Sequence, residues 1–373
     1  MKRHHYIVCI LATAAFFMLC VERPLFAVEK QSWASRPIAG QLWGMAWADL
    51  GGDGEKQMLL LERHALRVAK IDGEAVTTSA SFSWGSTVDG VRLFAMDVDG
   101  DGDEEAVVSA IQNGWPSSMI LDWKGDRFEP VVTGTPWHLR AVTHEGGAAL
   151  SKPILIGQHS TTSRFYFGRL YELSVEKGKI EKVRKLDLPS WAYLYRYAPF
   201  PSTSDGAERI ALLKEYAPLE LLAKEGRKFR RSWRSGERFG GSLNLVKARV
   251  QEPLGIVVTD MVGVGHEPVA FWGKQPLLVA PQHDILLRGI IGRKPYVTGA
   301  RIKGFATEEV LGMVEVFDSA DLPGYIADFL VTSPEGKPEL LVLLQLTDGF
   351  FDDVRASRLL RFDLPGESAL TNK

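Results

Sequence analysis

The sequence predicts an all-β chain, a β-propeller of about seven four-stranded blades, from three observations. An apolar run, an Asp/Gly loop and a second apolar run recur, first at an offset of 48 residues between Asp49 and Asp97. Runs of three to six apolar residues alternate with turn clusters such as Asp72-Gly73, Lys124-Gly125-Asp126 and Lys177-Gly178-Lys179, the pattern of short strands joined by tight turns. The chain beyond residue 27 carries no convincing long amphipathic helix. Units of ~40–50 residues with four short strands suit a propeller blade, because each sheet covers its neighbour only when the sheets stand in a ring. The alternatives are a β-sandwich pair or a β-helix, and β-helix coils are much shorter than 48 residues. The chain is 45% hydrophobic and 24% charged with a net charge of −2. This is a globular balance without the basic excess of a general nucleic-acid binder.

The first element is a targeting segment. Lys2, Arg3, His4 and His5 precede an uncharged apolar run from Tyr6 to Val21, and Leu25-Phe26-Ala27 forms a cleavage site, so residues 1–27 read as a signal peptide. An uncleaved anchor is the alternative, although the run is short for a span of ~20 residues. No later stretch is long and apolar enough to span, so the mature chain is expected to be soluble, in the periplasm, the envelope or the medium. Both cysteines, Cys9 and Cys20, lie in this leader. Residues 28–373, expected as one domain, therefore hold no disulfide, thiolate metal site or Cys nucleophile.

The repeat units follow in order. Gly44 to Asp49 leads through Gly51-Gly52-Asp53-Gly54 into Met58-Leu59-Leu60-Leu61, and Leu93 to Asp97 leads through an acidic loop into Ala106-Val107-Val108. Four fainter copies start at Leu139, Tyr193, Ile256 and Tyr325. The 71-residue gap between Asp260 and Val331 leaves room for a seventh unit, and 346 residues over 48 also gives about seven. Residues 215–225 have helical propensity broken by Pro218, and Leu219-Glu220-Leu221-Leu222 reads better as strand.

The strongest chemical signal is Asp97-Val98-Asp99-Gly100-Asp101-Gly102-Asp103-Glu104-Glu105. Alternate carboxylates on a curling backbone converge on one hard cation, and glycines permit the curl. A calcium hand of the helix-loop-helix type needs Glu at the twelfth place, which here is Val108 inside an apparent strand. The site is therefore of the strand-loop-strand kind. Residues 97–108 resemble the FG-GAP/VCBS repeat family, whose blades are similar to those of integrin α-subunit heads. The family loop is Asp-x-Asp-x-Asp-Gly-x-x-Asp/Glu followed by apolar residues. That resemblance implies Ca²⁺ at Asp97, Asp99, Asp101, Asp103 and Glu105. The copy at residues 49–57 keeps Asp49 and Asp53 and is a weaker second metal loop. Those at 201–209 and 260–268 keep one Asp each and are expected to be empty.

Of the tryptophans, Trp84, Trp137, Trp191 and Trp233 stand near unit ends, as packing between blades requires. Trp115, in Gln112-Asn113-Gly114-Trp115-Pro116, is the candidate ligand contact. The mature histidines have no HExxH spacing, and no G-x-S-x-G elbow or phosphate loop is present. Lys228 to Arg234 is a basic run that suits either anion binding or a charged outer strand. The expectation is an exported, calcium-braced binding or assembly module for a protein or glycan partner, with no catalytic residues assigned. A polysaccharide lyase or hydrolase and a structural envelope protein are the alternatives.

Overall fold

The computed structural model describes residues 31–364 apart from 147–148, 162–163, 201–205, 215, 241–243, 252–256, 265–268, 273–275, 287–295, 309–311, 333–337, 347–353 and 355. The predicted leader, residues 1–27, lies outside the described residues. Within them there are strands and no helix. None of these elements is a helix long and apolar enough to cross a membrane.

Two short strands, β1 (Trp33–Ala34) and β2 (Ile38–Ala39), open the chain. Blade 1 is the meander β3 (Leu42–Ala48), β4 (Gln57–Glu62), β5 (Ala65–Asp72) and β6 (Ala75–Ser83). Blade 2 holds β7 (Val88–Met96), β8 (Glu105–Gln112), β9 (Trp115–Pro116), β10 (Ser118–Trp123) and β11 (Phe128–Thr135), with β9 a short spur on β8. Blade 3 is β12 (His138–Gly146), β13 (Ala149–Thr161), β14 (Arg164–Glu176) and β15 (Lys179–Lys185). Blade 4 is β16 (Tyr197–Phe200), β17 (Arg209–Leu212), β18 (Ala217–Glu225) and β19 (Lys228–Phe239). A separate two-stranded hairpin, β20 (Asn244–Gln251) and β21 (Val257–Val264), comes next. Blade 5 is β22 (Val269–Trp272), β23 (Pro276–Leu286), β24 (Tyr296–Glu308) and β25 (Gly312–Asp318). Blade 6 is β26 (Tyr325–Thr332), β27 (Glu339–Leu346) and β28 (Ala356–Asp363), completed by β1 and β2 from the other end of the chain.

The innermost strands β3, β7, β12, β16, β22 and β26 neighbour one another in that order, and β26 returns to β3. The ring therefore closes with six blades, not the expected seven. The hairpin β20–β21 accounts for the difference. It has only two strands, lies against β14 and β7, and never enters the ring. The unit read from Ile256 was built on this insertion, since β21 belongs to the hairpin and Val269 begins the first strand of blade 5.

Second strands of the blades are buried on both faces, which explains their continuous apolar runs. In β4, Met58 and Leu60 face blade 6 while Leu59 and Leu61 face blade 2. In β27, Leu341 and Leu343 pack toward blade 1, and Leu340, Val342 and Leu344 toward blade 5. Each such side chain contributes ~1.5–3 kcal/mol of transfer free energy, so the contact between blades is the main cohesive surface. The outer strands carry the charge instead, as in β15, where Lys179, Lys182 and Lys185 are exposed. The strand reading of residues 219–222 holds within β18.

Buried polar side chains tie blades where aliphatic packing gives way. Asp328 on β26 accepts the Met45 amide of blade 1 at 2.8 Å and pairs with Arg92 of blade 2 at 3.4 Å. Gly44 makes room for this, since a Cβ there would meet Asp328 Oδ2 at 3.2 Å. His283 on β23 donates from Nδ1 to the Gly240 carbonyl, and its Nε2 accepts the Ile326 amide at 3.1 Å. One imidazole thus joins the end of blade 4 to blades 5 and 6.

Candidate metal centre

Residues 97–104 join β7 to β8, at the end of blade 2 that also carries the Lys124–Arg127 turn. Gly100 and Gly102 sit at φ +87° and +107°, the left-handed region that glycine enters without steric cost. The curl they permit sets alternate aspartates to receive backbone amides. Gly100 N–H donates to Asp97 Oδ1 at 2.6 Å, Asp101 N–H to Asp99 Oδ1 at 3.2 Å, and Asp103 N–H to Asp101 Oδ1 at 3.2 Å.

Two overlapping groups of carboxylates converge there. Asp97, Asp99 and Glu105 form one, Asp101, Asp103 and Glu105 the other, and within each group the ligand oxygens lie within 4.8 Å of one another. All five residues assigned to the metal loop from sequence are therefore brought together. Glu105, shared by both groups, opens β8 and is only 2% exposed. Its Oε2 accepts the Val98 amide at 2.8 Å, which fixes the carboxylate beneath the loop. Burial pushes its pKa up to about 7, and the charges of Asp99 and Asp101 add to the shift. A hydrogen bond between Asp101 and Asp103 lowers the pKa of the first and raises that of the second. Lys124 points its ammonium at Asp122, with Asp103 and Asp101 behind it. All the donors are oxygens of hard carboxylates, which suit a hard divalent cation rather than a thiolate- or imidazole-seeking metal.

The first-blade copy is arranged differently. Asp49 spends both carboxylate oxygens on its own loop, accepting Asp53 N–H at 3.2 Å and Gly54 N–H at 2.9 Å. Asp53 accepts Glu55 N–H at 2.9 Å. Neither residue belongs to a converging group among the described residues. The two loops are nevertheless stitched together. Asp49 N–H donates to Glu104 Oε2 and Glu104 N–H donates to the Asp49 carbonyl, both at 2.8 Å, with Lys56 3.6 Å from Glu104. Glu104 was not singled out from the sequence. It fills no ligand place in the motif, and its partner lies 55 residues away.

The other sequence candidates fall as follows. Trp115 is half-buried and begins the spur β9, after a tight turn at Asn113 and Gly114 (φ 52° and 82°). The neighbouring Gln112 amide is engaged by Thr87 and Ser117. Trp137 packs between blades as expected, whereas Trp191 is 43% exposed and does not. His138 is fully buried beside Ser160 and the Phe165 carbonyl. The loops at 201–205 and 265–268 lie outside the described residues. The basic run is the outer strand β19, where Arg230 pairs with Glu225 and Arg231 with Glu220.

Fold and site together define a six-bladed β-propeller with one carboxylate-rich loop between the first two strands of blade 2. No protein-family model matches the chain, and no curated protein sequence matches it. Among the solved structures that resemble its backbone are the following two. BBS1N, crystallised in complex with ARL6DN and soaked with lead, has a TM-score of 0.47 at 11% identity, over 92% of this chain and 99% of that one. Sqt1 of Saccharomyces cerevisiae has a TM-score of 0.41 at 7% identity, over 91% of this chain and all of that one (100%).

Proposed function

We propose that this chain is an exported β-propeller of the FG-GAP/VCBS type that holds Ca²⁺ in loop 97–105 and serves as a docking module for a protein partner. The observation that carries the metal assignment is the convergence of Asp97, Asp99, Asp101, Asp103 and Glu105 around a shared buried carboxylate. Without a cation these groups repel one another or hold protons. A divalent ion satisfies them together, and its binding energy adds to the stability of the folded state. Because Glu104 ties this loop to Asp49, the ion braces blades 1 and 2 at once.

Docking rather than turnover is supported by the use to which the inner polar groups are put. Arg92 is paired with Asp328, and Arg140 donates to the Leu194 and Tyr197 carbonyls at 2.7 and 2.6 Å. The Tyr195 hydroxyl donates to Ser109 at 2.6 Å. These groups hold blades to one another. Export is supported by the basic start and apolar run of the leader.

Thermal melts with Ca²⁺ and with EDTA test the metal. The wild type is expected to melt higher in Ca²⁺, by the few kcal/mol that a ligand at ~100 times its Kd supplies. Asp99→Ala with Asp101→Ala should melt alike in both conditions. A wild-type melt indifferent to Ca²⁺ removes the metal from this loop.

A further inference from the structure

The connection from blade 3 to blade 4, residues 186–196, is long but tightly held. Leu186, Leu188, Ala192, Leu194 and Tyr195 are all buried. Ala192 N–H donates to the Pro189 carbonyl and Arg196 N–H to the Tyr193 carbonyl, both at 3.0 Å, so two successive turns set the backbone. Leu186 N–H reaches the Leu170 carbonyl at 3.0 Å, and Arg169 donates to the Leu188 carbonyl at 3.0 Å, pinning the segment to β14.

On this rigid base Trp191 stands 43% exposed. Lys214 lies 5.8 Å over its ring, and Arg196 lies 5.2 Å over Tyr193. Tyr193 in turn stacks on Tyr166 of β14 at 5.5 Å. Phe167, the next residue along β14, is 47% exposed. An exposed Trp on a hydrogen-bonded turn, with a cation over its ring and a Tyr–Arg pair in the same segment, has the composition that dominates the energetics of protein interfaces.

The sheet that leads into the segment is basic, while Lys214 also pairs with Glu220 at 3.8 Å and Asp187 lies within the segment. Residues 138–185, which form blade 3, carry nine Lys and Arg against four Asp and Glu. Residues 88–135, which form blade 2, carry three against ten. Such a concentration steers an oppositely charged partner toward blade 3.

We propose that Trp191, with Lys214 over its ring and Tyr193 and Arg196 in the same segment, is a docking surface for an acidic, aromatic- or aliphatic-bearing peptide segment of another protein. This rests on the docking-module reading and gives it a place and a chemistry. A polypeptide fits better than a sugar or a nucleobase. Stacking platforms for those present open ring faces, whereas Tyr193 and Tyr166 lie face to face and Lys214 covers one face of Trp191.

The test is selection from a displayed library of 12-residue peptides in which Asp or Glu alternates with apolar residues, against the folded full chain. Affinities of the enriched peptides are then measured by fluorescence anisotropy. Trp191→Ala, and separately Lys214→Glu with Arg196→Glu, are expected to weaken binding at least tenfold, and raising the salt should weaken the wild type. Val183→Ala on the outer strand β15, 55% exposed and outside the segment 186–196, should bind as the wild type does. Circular dichroism melts confirm that each variant folds, and Trp191→Phe, which keeps a ring, should retain most of the affinity. No enrichment, or enriched peptides indifferent to both variants, overturns the assignment. So does binding of a heparin fragment or oligo-dT that these variants abolish while acidic peptides do not bind. Chemical cross-linking in the native host separates this surface from the wider reading. Equal partner capture by wild type and Trp191→Ala places the docking site elsewhere, and no capture by either removes the module reading itself.

Discussion

At the residue scale the informative groups are buried and ionisable. Asp328 accepts the Met45 and Phe329 amides and lies against a guanidinium that is 2% exposed. Asp328→Ala leaves the Arg92 charge without that carboxylate, and breaking a buried pair from one side typically costs ~3–5 kcal/mol. Urea unfolding should show that loss, and a change below about 1 kcal/mol would mean that the charge finds water or another acid. His138 and His283 make a second case. Burial lowers their pKa values from 6.5 to about 3 and about 4, against the weaker upward pull of the Phe165 and Gly240 carbonyls. For His283 the geometry agrees, since a proton on Nε2 would face the Ile326 N–H. The unfolded chain therefore takes up these protons near pH 6.5 while the folded chain refuses them until about 4 or lower. Their contribution to stability is complete above pH ~6.5 and declines as the pH falls, by ~1.4 kcal/mol per unit for each histidine. Urea midpoints at pH 7 and pH 5 check this, with a shallower decline expected for His138→Gln with His283→Gln. The sequence displayed these histidines as isolated residues, and their burial was invisible because it depends on blades that meet only in the ring. The clustering of the aspartates of loop 97–105 was legible because it follows from their spacing along one curled stretch of backbone. Glu104 was not, because its role is defined by a second loop.

Among the elements, the strands were legible wherever period and turn chemistry agreed. Lys124-Gly125-Asp126 and Lys177-Gly178-Lys179 are hairpin turns as read, with Gly125 and Gly178 at positive φ. The hairpin β20–β21 was misjudged for a physical reason. Its alternating apolar residues are indistinguishable from those of a blade's first two strands, and what it lacks is two further partners. The closing strands matter more for stability. Trp33 and Ala34 pair with Arg361 and Leu360, and Ile38 and Ala39 pair with Ser357 and Ala356. Ser35 adds a side-chain bond, accepting the Leu359 amide at 3.0 Å. Removing residues 31–39 exposes the outer edge of β28, a row of unpaired backbone groups. Light scattering behind a sizing column should show the truncated chain self-associating, with a lower and broader melt. A monomer with an unchanged melt would show that β28 needs no cover.

On the scale of the whole molecule, the six blades are held by contacts with one another, and the charge is parted between blades 2 and 3. Sequence arithmetic gave the right class and one blade too many, since dividing length by repeat counts an insertion as a repeat. The bond between Ser32 and Arg361, across 329 positions, carries a kinetic meaning. A chain emerging from the ribosome or a translocation pore cannot finish its sixth sheet until residue 363 has appeared. The earliest strands must wait, solvated, for the latest. Pairing at such separation makes ring closure a slow, final event. Until then, a newly made molecule is an arc with two adhesive ends, which two copies at high concentration can exchange.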